Sequence, residues 1–243
     1  MKKRYLIIAF IFLFANATIA NTFFVTSNAD SGPNTLRQAI LNAAANGTVN
    51  MDTIVFQMPD ISRAGRTIIL LSELPELTSN LVVDGSTQVA QVFGVSGAKI
   101  IIQNNNPIAT TGNGFTFLQF QNCNNIEIYG LFLFNAWFDY FISTPIVKGI
   151  VFSKCRNIKI GATGKGNIIR GTKTVAIRSQ TTNAIDYSDS VSIVSNIIGH
   201  DENGNIVTSG PISQIFYTPS FGIQFKNVQH ITIGGNTTVE GNI

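Results

Sequence analysis

Apolar and polar residues alternate over short stretches of this chain, and the alternation recurs. Ile126/Ile128, Ile158/Ile160 and Ile231/Ile233 form Ile-x-Ile pairs, each followed within two residues by Gly130, Gly161 or Gly234. Such a pair predicts a short strand with alternate side chains directed inward, and the glycine permits a positive-φ corner after it. Three residues before each pair stand Cys123, Cys155 and Val228, small apolar residues that imply a second inward slot. Asn124, Asn125 and Asn157 precede the strands, and Asn tolerates left-handed corners. The fullest copies run from Gly222 to Ile243 and from Gly149 to Ile169, with a weaker one from Gly114. A unit of strand, corner and strand without a helix cannot bury its apolar side alone, so it must stack on copies of itself. The predicted fold is all-β, a parallel β-helix solenoid.

The spacing of the pairs sets an expected coil length. Ile158 and Ile231 are 73 residues apart, which predicts three coils of roughly 24 residues, within the range of known repeats. Val175-Ala-Ile-Arg, Val191-Ser-Ile-Val and Asn196-Ile-Ile-Gly mark the intermediate coils. The 32 residues between Ile126 and Ile158 are then too many for one coil, and the aromatic run from Phe132 to Phe141 is the expected excursion.

Towards the start, Phe23-Phe-Val-Thr, Asp52-Thr-Ile-Val-Phe, Thr67-Ile-Ile-Leu-Leu, Leu81-Val-Val-Asp-Gly and Lys99-Ile-Ile-Ile-Gln read as strands between turn residues. Their nearly continuous apolar character suits parallel strands covered on both faces. Thr35 to Ala45 is the one predicted helix. Asn34 or Thr35 caps it, Leu36, Ala39, Ile40 and Ala43 share a face, and Gly47 ends it. A short amphipathic helix here is expected to cap the open end of the first coil.

Met1-Lys-Lys-Arg and the apolar run Leu6 to Ala15 have the layout of a secretory leader. Cleavage after Ala17 or Ala20 divides the chain into a signal peptide, 1–20, and one β-helix domain, 21–243. The apolar run is shorter than the ~20 residues of a membrane span, so no integral span is expected after leader removal. Lys2, Lys3 and Arg4 leave with the leader, and the remaining 13 basic residues balance 13 acidic ones. A neutral chain gives no reason to expect nucleic acid or an anionic membrane as partner. Only 12% of residues are charged, so uncharged hydrogen-bonding side chains should dominate the exposed faces. The sequence stops at Ile243 inside a repeat, and the expectation is a solenoid that continues beyond it.

Asn196-Ile-Ile-Gly-His-Asp-Glu-Asn-Gly, Gly222-Ile, Ile231-Thr-Ile-Gly-Gly and Gly241-Asn-Ile together resemble the repeats of bacterial secreted right-handed parallel β-helix proteins of the pectin-lyase-like class. Ile160-Gly-Ala-Thr-Gly-Lys-Gly-Asn-Ile-Ile-Arg-Gly171 is a second match, and the likeness spans most of 22–243. It implies a right-handed solenoid. Because several enzymes of that class cleave uronic-acid polymers, it also directs attention to carboxylates: Asp84, Glu127, Asp139, Asp186, Asp189, Asp201, Glu202 and Glu240. Asp186 and Asp189, able to flank one turn, are the catalytic candidates. The Asn-Thr-Asp, Asp-Asp, Gly-His-Gly and Arg-Ile-Lys signatures of polygalacturonases are missing, and Arg156-Asn-Ile-Lys159 is only superficially similar to the last. Asp84 reads more simply as a turn residue bonded to its own backbone.

Three further groups carry candidate chemistry. Asp201, Asn203 and Asn205 could offer oxygens to Ca²⁺, although the spacing departs from an EF-hand loop and a plain turn is the favoured reading. His200 and His230 lack zinc-site spacing and read as surface residues. Cys123 and Cys155 hold equivalent repeat positions. On neighbouring coils they would lie ~4.8 Å apart, close enough for a disulfide, or they stack as buried thiols. Exposed rings among Phe132, Phe134, Trp137, Phe138, Tyr140 and Phe141 would make a platform for sugar faces, with Trp137 and Tyr140 the ligand-binding candidates. Phe132 and Phe134 are expected to stack in the core instead.

The function expected from these features is a non-catalytic exported surface or adhesion protein whose polar faces meet polysaccharides, cell-surface glycans or proteins. One alternative is a polysaccharide lyase or glycoside hydrolase with its site partly or wholly beyond residue 243; another is a structural spacer. Carboxylates clustered with basic residues would favour the enzyme, exposed aromatics or Asn/Thr ladders the binding protein, and a featureless exterior the spacer.

Overall fold

A computed structural model describes residues 19–104, 114–135, 146–172, 174–181, 183, 185–205 and 221–243. Most of the predicted leader lies outside these residues, as do Trp137, Phe138, Asp139, Tyr140 and Phe141. The described residues are mostly β, with parallel sheets and one α-helix among them. The chain opens with β1 (Thr22–Val25), α1 (Leu36–Asn46), β2 (Asp52–Phe56), β3 (Thr67–Leu70), β4 (Leu81–Asp84), β5 (Ile100–Asn104) and β6 (Phe115–Gln121). It continues through β7 (Asn124–Tyr129), β8 (Leu131–Asn135), β9 (Val147–Ser153), β10 (Arg156–Ile160), β11 (Ile168–Arg170) and β12 (Val175–Ser179). The last strands are β13 (Ser188–Ile193), β14 (Ile197–Ile198), β15 (Phe221–Gln224) and β16 (Val228–Ile233).

Three sheets hold these strands. The first runs β1-β2-β4-β7-β10-β13-β16, the second β3-β5-β8-β11-β14, and the third β6-β9-β12-β15. From β4 onward the chain visits first, second and third sheet in strict rotation. All strand pairs are parallel.

The registers correct the coil length. Ile126 pairs with Ile158, Ile158 with Val191, and Val191 with Ile231. The 73 residues from Ile158 to Ile231 thus hold two returns to the first sheet, not three. Val175-Ala-Ile-Arg lies on the third sheet and Asn196-Ile-Ile-Gly leads into the second. They look alike in sequence because every strand alternates in the same way, so local pattern cannot say which sheet a strand joins. The spacing of 32 from Ile126 to Ile158 is an ordinary step.

One continuous apolar core draws on all three sheets. Ile126, Ile128, Ile158 and Ile160 are fully buried in it, with Ile100, Ile102, Leu131 and Leu133 from the second sheet and Leu118, Ile150 and Ile177 from the third. At such positions truncation of Ile to Ala costs about 2–5 kcal/mol through lost transfer energy and the cavity left behind. The helix forms where expected. Thr35 caps it through a hydrogen bond from Gln38 N–H, and Leu36, Ala39, Ile40 and Ala43 are its buried residues, packed beside β1 and β2. Gly130 takes φ 65° at the corner between β7 and β8; a Cβ there would run into the backbone of Gly85 and Ser86.

Two aromatic residues differ from expectation. Phe132 and Phe134 do not enter the main core. They point from β8 to the outer face of the second sheet, where Phe132 packs with Phe93, Ile101, Ile168 and Ile197 and Phe134 lies partly buried beside them. In β8 it is Leu131 and Leu133 that face inward. Alternation was legible, but its phase was not, because both residue pairs are large and apolar.

Asparagine side chains tie successive passages together. Inside the corner before the second sheet, Asn196 Oδ1 accepts from Asn167 N (3.1 Å) and Nδ2 (2.9 Å), while Asn196 Nδ2 donates to Ile160 O (2.8 Å) and Val194 O (2.9 Å). Asn242 Oδ1 accepts from Asn196 N at 3.0 Å. On the outside of the first sheet, Asn157 donates to Asn125 (2.9 Å) and Asn125 to Asn80 (2.6 Å). These three residues share left-handed backbone, φ 56–59°.

Candidate functional site

The third sheet carries the most ligand-like surface. Leu118, Ile150 and Ile177 occupy one register row and join the core. The adjacent row, Gln119, Val151, Arg178 and Gln224, is only half-buried. Gln121 pairs with Ser153 at the ends of β6 and β9, while Gln180 and Lys226 follow β12 and β15 and are exposed. The chain then bends towards the first sheet through left-handed residues Asn122 (φ 50°), Lys154 (54°) and Asn227 (54°). Outward polar side chains therefore recur at strand spacing, about 4.8 Å.

Two clefts adjoin on this face. One, of about 290 Å³, is lined by Glu76, Gln119, Gln121, Lys154, Gln180 and Thr181 among others. The second, of about 530 Å³, is bounded by Arg178, Ser179, Gln180, Thr181, Gln224, Phe225 and Lys226. They share Gln180 and Thr181, so they form one furrow running across β6, β9, β12 and β15. Amides, hydroxyls, the Glu76 carboxylate and three cations, Lys154, Arg178 and Lys226, line it, with apolar surface from Phe120, Val151, Phe152 and Phe225.

Its electrostatics set it apart. Several cations are engaged, Arg37 with Asp30, Arg63 with Glu202, Lys159 with Glu127, Lys165 with Asp84 and, within the furrow, Lys154 with Asp186, at 2.7–2.9 Å, while Arg170 on β11 lies over the Phe134 ring with its Nε unpartnered. The Arg66 guanidinium donates to the carbonyls of Ile61, Gln91 and Lys99. Among the described residues, the side chains of Arg178 and Lys226 make no hydrogen bond or ion pair, and neither does Lys148 at the start of β9. All three belong to the third sheet or its margin. Glu76, at the β6 end, receives only long contacts of 3.4 Å from Gln121.

The catalytic candidates are not brought together as a working pair. Asp186 is bound by Lys154 (2.8 Å) and Asn183 (3.2 Å), and Asp189 by His230 (2.6 Å). The hydrogen bond from Lys154 holds the Asp186 carboxyl below its ordinary range, and that from His230 does the same for Asp189. Glycoside hydrolysis calls for one carboxyl raised in pKa to act as acid; both of these are shifted the other way. Asp84 is the turn residue expected, accepting from Ser86 N at 3.0 Å, and in addition it pairs with Lys165. Beside it, burial and the bond to Glu127 push the Tyr129 hydroxyl upward in pKa.

The loop at Asp201 closes on itself. Asp201 Oδ1 accepts from Asn203 N (2.9 Å) and Asn205 N (2.7 Å), and Oδ2 from Asn205 Nδ2 (3.2 Å). Asn203 and Asn205 thus direct donors, not oxygens, at the carboxylate. No group of three or more His, Cys, Asp or Glu side chains suited to a metal occurs among the described residues. Trp137 and Tyr140 lie outside those residues. Cys123 and Cys155 are both buried, with free thiols 2.9 Å apart.

The furrow residues were missed in the sequence, yet the signal was present. The copies starting at Gly114, Gly149 and Gly222 already align Gln119, Val151 and Gln224, and likewise Gln121, Ser153 and Lys226. Attention to the inward Ile residues left the outward column unread. Comparisons with known proteins add no constraint: the chain matches no family model, no curated protein and no solved structure.

Proposed function

We propose that this chain is a right-handed parallel β-helix of an exported surface or adhesion protein, and that it holds an anionic polysaccharide in the third-sheet furrow without cleaving it. The rotation of the chain through three parallel sheets supports the solenoid, and the leader-like start supports export. The observation that carries the binding reading is the furrow itself, where Arg178 and Lys226 stand unpartnered beside Gln119, Gln121, Gln180 and Gln224. Amide side chains present a donor and an acceptor together, which suits sugar hydroxyls. An unpartnered guanidinium suits a carboxylate or sulfate. The outer Asn80–Asn125–Asn157 ladder also fits a binding protein better than a featureless spacer. A hydrolase or lyase lacks support here, since Asp186 and Asp189 are each taken up by a separate partner, Lys154 and His230.

The test is binding of a polyuronate and of a neutral glucan of equal length, by calorimetry at two salt concentrations. Wild-type protein should bind the polyuronate more tightly, with affinity falling as salt rises. Arg178→Glu with Lys226→Glu should weaken it at least tenfold while leaving the melting temperature unchanged. Unaltered polyuronate affinity in that variant would remove the furrow from consideration. Binding of neither polymer would sink the proposal.

A further inference from the structure

The chain has two cysteines in 243 residues, and the fold brings them side by side. Asn124 pairs with Arg156, so Cys123 and Cys155, one residue earlier in each chain passage, are also neighbours. The column they occupy continues through the positions of Ser188 and Val228. Its occupants are small, and the two cysteines are adjacent within it. The backbone is pinned on both sides: Arg156 N donates to Cys123 O (3.0 Å), Asp189 N to Cys155 O (2.9 Å), and Cys155 N to Ser188 Oγ (3.1 Å). Neighbouring parallel strands lie about 4.8 Å apart, inside the Cα separation of about 4.4–6.8 Å that a disulfide spans. The two sulfurs are already at 2.9 Å.

We infer that Cys123 and Cys155 are a disulfide site, a covalent staple between consecutive passages of the chain, formed by thiol–disulfide exchange with a small-molecule or protein disulfide. One cysteine thiolate attacks a sulfur of that oxidant and expels its first thiol, giving a mixed disulfide. The second cysteine thiolate then attacks the cysteine sulfur of the mixed disulfide and expels the second thiol. Two protons leave the protein thiols, the protein is oxidised by two electrons, and the oxidant is reduced to two thiols. Cys123 and Cys155 are 2% and 0% exposed, so the exchange takes place before β10 docks against β7. Once formed, the bond is shielded from reductant by the same burial. It closes a loop of 32 residues and holds β7 and β10 in register irrespective of what the furrow binds.

Full-length protein is folded in an oxidising compartment, denatured in an alkylating agent without reductant, and weighed intact. The expected mass shows no added alkyl group, and two added groups appear when reductant precedes alkylation. Two alkyl groups on most chains without reductant would overturn the inference. A melt adds a second reading. Reduction in denaturant, followed by refolding and melting with reductant present, should lower the wild-type melting temperature by roughly 5–10 °C and leave a Cys123→Ser, Cys155→Ser variant unaffected. An equal response of both proteins counts against the staple.

Discussion

Asn196 gives the sharpest test of how successive passages are held. Its side chain is fully buried, as is that of Asn167. Asn196→Ala removes the acceptor of the Asn167 N–H and the donor to Val194 O, besides one partner of Asn167 Nδ2. Two backbone groups are left unpaired, each at about 1–3 kcal/mol, so a loss of about 2–6 kcal/mol is expected. Ile160 O is spared, because it also accepts from Val194 N. The control is Asn42→Ala on the exposed face of α1, where the helix-forming tendency of Ala should leave stability within about 0.5 kcal/mol of wild type or slightly above it. Urea unfolding followed by circular dichroism measures both, read as a shift in midpoint at constant slope. Asn196→Asp adds a sign test. Its carboxylate would face the carbonyls of Ile160 and Val194, so the folded state raises its pKa above the unfolded value of about 3.9. The variant should be most stable below that value and lose stability as pH rises beyond it. A midpoint for Asn196→Ala indistinguishable from that of Asn42→Ala would refute the reasoning, as would an Asn196→Asp protein that gains stability with rising pH.

Two glycines separate strain from collision. Gly130→Ala should cost more than about 2 kcal/mol, since positive φ and overlap with the Gly85–Ser86 backbone act together. Gly164→Ala, at φ 73° with open space around the added carbon, should cost only about 1 kcal/mol; thermal melts of equal depth would contradict this. Lys154→Ala should move the Asp186 carboxyl upward towards its ordinary pKa, read by NMR titration of that carboxyl. In the wild type the depressed pKa gives a contribution present above the unfolded carboxylate pKa and lost as pH falls through the folded value. A titration curve for Asp186 that does not move would show that Lys154 is not the cause.

Different parts of the structure were legible for different reasons. The helix at Leu36–Asn46 could be read because its cap, its apolar face and its terminating glycine are all local. The Ile-x-Ile strands could be read because alternation is local too. What could not be read is which strand meets which. Val175 to Arg178 looks like a neighbour of Ile158 to Gly161, but it lies on another sheet, and only the return path of the chain decides that. The same limit hid the furrow. Gln119, Arg178 and Gln224 are far apart in sequence, and a formal net charge of only +3 says nothing about where the unpartnered cations Lys148, Arg178 and Lys226 gather. Asp186 and Asp189, three residues apart, looked like a pair, yet each found its partner in a different passage of the chain.

The rotation through three sheets has a kinetic consequence. Asp52 meets Leu81, Leu81 meets Ile126 and Ile126 meets Ile158, so the strands of the first sheet bond to strands 29 to 45 residues distant. No parallel strand pair can begin as a tight hairpin, and each new pairing must close a long loop before its first ladder bond repays the lost entropy. Assembly should therefore be slow to start and quick to extend, since strands already paired offer the next passage of the chain a ready edge and a ready apolar surface. In sheets built this way the order of events is written into the order of the chain. A defect in β7 delays every strand that pairs after it, while a defect in β16 delays none of those before it.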